Sequence, residues 1–179
     1  FGGTIQVLRT GRTVDCRNRD FRFRPDTGEF EPLGGVSQQG RVRDDFGNEF
    51  GNDNGTLLWH FPIPDRYLRD RSWVTPPAIR WVLPAEGDVG RVFPISRTLT
   101  RFNEPGQVNR LTSACGPEIY RDSLLGDAVW GDGFVCEPVH NLVRRARLIP
   151  EGVSFRTRRA EGEESAEFLS STDNWFRPV

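Results

Sequence analysis

The residues of this chain that are equipped for chemistry are few. Two histidines, His60 and His140, are its only imidazoles. His140 lies in Pro138-Val139-His140-Asn141, a turn-like step where a hydrogen-bonded structural role and a functional one are equally open. His60 stands in Leu58-Trp59-His60-Phe61, where apolar neighbours favour a satisfied core histidine over a site residue. Asp44, Asp45, Asn48, Asn52, Asp53 and Asn54 make a dense cluster of side-chain oxygens. Interspersed glycine makes the same cluster good turn composition, which is the reading the spacing favours, and Asp173-Asn174 shares the ambiguity.

Three cysteines, Cys16, Cys115 and Cys136, show no CxxC, no CxxCH and no zinc spacing, so neither metal nor haem ligation is expected of them. Cys115 and Cys136 fall in neighbouring expected strands. A bridge between them would imply an exported protein, two buried thiols is the competing reading, and Cys16 is unpaired in either case unless its partner lies outside this stretch of chain. No Ser-His-Asp order, phosphate-binding glycine loop or paired catalytic glutamate stands out. Gly131-Asp132-Gly133-Phe134 reads as a hairpin turn rather than a nucleotide loop, because a basic strand and no helix follows it.

The elements that must position these residues are strands. With 19 Gly and 13 Pro in 179 residues, the chain is punctuated too often for long helices, while 13 Phe and 5 Trp supply a core. Net charge is −1, which gives no field demanding nucleic acid or an anionic membrane. All 24 basic residues are Arg, a cation suited to planar, bidentate contact with carboxylates. There is no Met, the chain opens on FGGTIQV as if in mid-strand, and no stretch reads as a signal peptide or membrane span. The expectation is a piece of a longer polypeptide.

Taken in order, Thr4 to Val14 reads as a hairpin around Gly11. Asp20 to Leu33 reads as a stronger one, with Phe21 and Phe23 alternating with Arg22 and Arg24 before the turn Pro25-Asp26-Thr27-Gly28. Arg41 to Asn54 is strand, turn, strand. Gly55 to Trp81 has no clean period and is expected as a long irregular insertion, with one helical turn near Arg66 to Arg69. Val92-Phe93 and Leu99 mark short apolar runs further on. Leu124 to Glu151 holds two strands joined by a tight connection, Val153 to Arg158 an outer strand, Ala160 to Glu167 an acidic solvated loop, and Phe168 to Val179 the start of a new blade.

A loose repeat runs through this order. FRFRPDTGEF, a loop and RVRDDFGN are echoed by VRRARLIPEGVSF, a loop and FLSSTDNWFR. Units of roughly 40 to 50 residues are the size of β-propeller blades. The fold class expected is therefore all-β, an incomplete propeller of about three blades of a six-bladed ring, with residues 1–179 forming one domain. An open β-sandwich is the alternative.

GRVRDDFGNEFGNDNGTLLWHF (Gly40 to Phe61), RLTSACGPEIYRDSLLG (Arg110 to Gly126), FVCEPVHNLVRR (Phe134 to Arg145) and FLSSTDNWFRPV (Phe168 to Val179) resemble the membrane-bound dehydrogenase domain of planctomycetes and verrucomicrobia. That domain is a six-bladed propeller related to PQQ-dependent soluble sugar dehydrogenases. The resemblance implies an exported protein, periplasmic or extracellular, with membrane association open. It also implies a c-type haem module outside this chain as electron acceptor, beside the remaining propeller blades and a small sugar or alcohol substrate. In the related enzymes a basic residue near the position of His140 and an aromatic-Arg pair like Phe176-Arg177 meet the cofactor, and the turn holding Asn52-Asp53-Asn54 contributes to a calcium site. No counterpart of their general-base histidine is present, so the catalytic residue is left unassigned.

PQQ is a flat tricarboxylate, and a site for it needs cations, a planar wall and a divalent ion. On that resemblance Arg177, His140 and Arg43 would supply the cations, Trp175 the wall, and Asp53 and Asn54 the ligands of calcium. The expected function is oxidation of a hydroxyl. The competing expectations are a non-catalytic propeller that binds a glycan or protein, and a structural piece of a larger assembly.

Overall fold

The computed structural model describes residues 3–68, 78–87, 90–97 and 109–179. No α-helix occurs among them, and no helix is long and apolar enough to cross a membrane. Strands β1 (Thr4–Val7) and β2 (Arg12–Asp15) form one hairpin, and β3 (Phe21–Phe23) and β4 (Phe30–Pro32) a second. Their turns contain Gly11 and Gly28 at φ 67° and 74°, a backbone region open to a residue without Cβ.

Strands β5 (Arg41–Arg43), β6 (Glu49–Asp53), β7 (Thr56–Phe61) and β8 (Trp81–Val82) then form a four-stranded antiparallel meander. Strands β9 (Cys115–Ile119), β10 (Gly133–Glu137), β11 (Leu142–Glu151) and β12 (Ser154–Arg158) repeat that arrangement. A last strand, β13 (Leu169–Ser170), pairs with the start of β11. None of these sheets closes into a barrel. The fold is all-β and consistent with an incomplete β-propeller, whose blades are four-stranded sheets of this kind.

The two meanders share one core. β9 lies against β5 and β6. Phe50, Leu57 and Leu58 of the first meander bury against Ile119, Val135, Leu142 and Ala146 of the second. Each of the larger side chains, Ala146 excepted, stabilises the fold by about 1.5–3 kcal/mol when fully buried. Gly133 permits the close approach, because a Cβ there would stand 2.7 Å from Leu58 Cδ1.

A buried ion-pair network ties the second hairpin to the first meander. Arg41 donates from Nε and Nη2 to Asp20 Oδ2 at 3.0 and 2.8 Å, and from Nη1 to Glu49 Oε2 at 2.9 Å. Its guanidinium lies 3.6 Å from the centre of the Phe61 ring. Burial works against ionised Glu49, but the hydrogen bonds from Arg41 and Arg43 outweigh it and lower its pKa.

Three local expectations change. Thr56–Phe61, expected inside an irregular insertion, is the strand β7, with five consecutive buried residues. Burial on both faces removes the alternation by which an exposed strand is recognised. The loop after β12 is not wholly solvated. Glu167 is enclosed, accepting from Arg159 Nη2 at 3.0 Å and from the Phe93 amide at 2.8 Å, and Glu163 lies 3.6 Å from Arg145. Phe168 to Val179 opens no new sheet, since β13 joins β11 and the rest crosses the β10–β11 turn. A 3-10 turn at Asp65–Tyr67 occupies the expected helical turn, while Arg69, Leu99 and residues 69–77 of the insertion lie outside the described residues.

Candidate functional site

The Ala114 amide donates to the Asn54 carbonyl at 3.0 Å, which brings the β6–β7 turn to the end of β9 that pairs next to the β10–β11 turn. His140 lies there with its side chain wholly enclosed, its Nδ1 3.5 Å from Oε1 of the equally enclosed Glu137. Glu137 Oε2 accepts the amides of Thr112 and Ser113, both at 2.9 Å, which pins the segment before β9 to the β10–β11 turn. Arg177 donates to the carbonyl of Pro138, and Asn141 Nδ2 to that of Phe176. The chain after β13 is thereby strapped across this turn.

Cys115 and Cys136 are partners across β9 and β10. All three cysteines are free thiols in this structure, the second of the two readings left open for Cys115 and Cys136. Cys115 Sγ contacts the carbonyl oxygen of Pro178 at 3.9 Å instead. Burial pushes the Cys115 thiol up to about 11 and also raises Cys136 and Cys16, which suppresses the reactive thiolate at neutral pH.

The other expected site residues scatter. Arg43 ends β5, at the opposite end of β6 from Asp53, and donates to Glu49 at 2.6 Å. Trp175 is 90% exposed in a turn where its amide donates to Asp173. Asp53 Oδ1 accepts the amides of Gly55 and Thr56 in its own turn, and Asn54 Oδ1 accepts from Gln39 of the loop before β5. His60 is buried between Phe50 and Phe155, with ring centroids 5.2 Å from each, and its Nδ1 is 3.0 Å from Ser154 Oγ. Burial lowers its pKa to about 4 against the pull of Asp44. No group of three or more His, Cys, Asp and Glu side chains is placed to hold a metal among the described residues.

A different set of residues does converge. The β5–β6 turn and the segment joining β9 to β10 meet over a groove of 460 Å³ between the meanders. Phe46 and Trp130 stand over it edge to face, 6.1 Å apart between ring centroids, and remain 79% and 46% exposed. Asp44 shapes the turn, accepting the amides of Phe46 and Asn48 at 2.9 and 2.8 Å. Asp45 reaches Arg121 at 3.5 Å from the other side.

Asp132 also lines the groove and is almost fully buried. Arg145 Nε donates to its Oδ2 at 2.6 Å, and Arg147 Nε stands 3.8 Å from Oδ1. Burial raises the pKa of Asp132 in spite of both guanidinium groups, so its charge is costly where it sits. A carboxylate with a raised pKa in a cleft is the kind of group that recognises or exchanges a proton. Two exposed rings, carboxylates and a guanidinium around one groove suit a ligand with apolar C–H faces and several hydroxyls.

Reasoning from sequence did not select Phe46, Trp130 or Asp132 as a site. The available signal is an acid and an aromatic beside glycine in corresponding connections of the two meanders, Asp45-Phe46-Gly47 and Trp130-Gly131-Asp132. No curated protein and no solved structure matches this chain. One family model matches over residues 1–179, and the chain accordingly belongs to the family described as "Domain of unknown function (DUF7133)".

Proposed function

We propose that this chain is a β-propeller-like unit whose groove between the two meanders binds a hydroxyl-rich ligand, a sugar in the first instance. The observation that supports this reading is the pairing of exposed Phe46 and Trp130 with Asp45, Arg121 and the buried Asp132 around one groove. The rings supply stacking surface for C–H faces, and the charged groups supply directional hydrogen bonds. Titration calorimetry with a panel of mono- and disaccharides tests it. Trp130→Ala is expected to weaken binding of the active saccharide about tenfold, equivalent to about 1.4 kcal/mol. A panel without a binder, or a Trp130→Ala variant that binds as the parent does, overturns the proposal.

A second reading is that the sugar or alcohol is oxidised as well as held. It is supported by the resemblance in Gly40 to Phe61, Arg110 to Gly126 and Phe134 to Arg145, stretches that form β5–β7, β9 and much of β10–β11. In this reading the chain is part of an exported propeller dehydrogenase that passes electrons to a c-type haem domain outside it. His140, Arg177, Trp175 and Arg43 do not converge on one cavity, Asp53 Oδ1 caps its own turn, and Asn54 Oδ1 is held by Gln39. The residues present therefore do not fit PQQ and calcium, and the reading assigns both to other blades of the ring. Dye-linked oxidation by the parent protein, lost on removal of PQQ, would support oxidation over binding alone.

A further inference from the structure

A second cleft, beside β11 and β12, is lined by five arginines, Arg91, Arg144, Arg147, Arg158 and Arg159, and has a volume of 660 Å³. Arg144 is buried and Arg159 partly so. Both donate to the carbonyl of Arg91, at 2.8 and 2.7 Å, which holds that residue at the cleft wall. Arg159 is neutralised by Glu167.

Arg147 and Arg158 are direct cross-strand partners on β11 and β12. Like charges directly opposite on an antiparallel pair repel, and this position ordinarily takes opposite charges. Arg147 is partly offset by Asp132 at 3.8 Å, on its groove side. Neither Arg158 nor Arg91 forms an ion pair among the described residues. Three glutamates also line the cleft. Glu86 is engaged by Arg156, Glu164 accepts the amide of Gly162 while keeping its charge, and Glu161 is the third. Five guanidinium groups against three lining glutamates, with Glu86 already engaged by Arg156 and Glu167 set against Arg159, leave the cleft a small net positive charge.

We propose that this cleft is a binding site for a ligand carrying two or more oxyanion groups, held by Arg91, Arg147 and Arg158. Arginine presents a planar fork of donors that matches a carboxylate, phosphate or sulfate bidentately, and a ligand with two such groups spans opposed guanidinium groups that one anion could not satisfy. Binding would relieve the cross-strand repulsion and so stabilise the folded chain. The site is separate from the aromatic groove, with Arg147 the one guanidinium lining both.

Thermal unfolding of the chain at constant ionic strength tests this, with citrate and pyrophosphate as probes and chloride as the control. Citrate or pyrophosphate is expected to raise Tm by about 2–4 °C at saturating concentration. The rise should vanish in the double variant Arg91→Gln/Arg158→Gln, whose own Tm in chloride should equal or exceed the parent's because a like-charge contact is gone. A response to citrate alone identifies carboxylates as the group recognised, and one to pyrophosphate alone identifies phosphates. An equal rise in chloride, or a rise that survives in the folded double variant, overturns the proposal.

Discussion

Cys115 and Cys136 face each other across β9 and β10 as direct partners, yet both are free thiols. Burial raises the pKa of each, Cys115 to about 11, so thiolate is scarce near neutrality. The native, reduced protein is expected to react slowly with a thiol reagent at pH 8. After denaturation without reductant, three thiols should react at once. Rapid labelling of Cys115 in the native state would contradict this placement, and a denatured count of one would show that the pair had been oxidised to a bridge.

His60 gives the fold a dependence on pH of defined sign. Its pKa falls to about 4 in the folded chain from an ordinary 6.5, chiefly through burial. The unfolded chain takes up a proton at pH values where the folded one does not. Its contribution is therefore complete above pH 6.5 and is lost as pH falls towards 4, by about 1–3 kcal/mol in all. His60→Phe keeps a ring between Phe50 and Phe155 and removes the titration. The stability of the parent minus that of the variant, read from denaturant unfolding, should fall by that amount between pH 7 and pH 4. A gap independent of pH would show that His60 is not the group responsible.

Gly133 marks where the meanders touch. An added Cβ would come within 2.7 Å of the buried Leu58 Cδ1, so Gly133→Ala is expected to cost about 1–3 kcal/mol through overpacking. Combined with Leu58→Ala, which opens space at the same point, the loss should fall short of the sum of the two single losses by about 1 kcal/mol or more. Strict additivity would mean that the two residues do not meet.

Much of the strand order was legible because hairpins announce themselves locally. Phe21 and Phe23 alternate with arginines, and turns at Gly11 and Gly28 need only the backbone freedom of glycine. Leu57 to Phe61 was not legible, since a strand buried on both faces has no alternation to show. Glu167 looked solvated in an acidic run, and only Arg159 and the Phe93 amide, both distant from it in kind or in sequence, explain its burial.

The same division runs through the candidate sites. The all-β class and the turn role of Asp44 and Asp53 followed from composition and spacing, because those depend on neighbours along the chain. The enclosure of His140 beside Glu137 depended on how the segment before β9 folds over the β10–β11 turn. Phe46 and Trp130 lie 84 positions apart, and only the packing of β9 against β5 and β6 sets them over one groove. The opposition of Arg147 and Arg158 likewise depends on the register of β11 and β12. Local chemistry thus determined the strands and turns of this protein, while sheet packing and register, which couple residues without regard to their separation, decided where its side chains could act together.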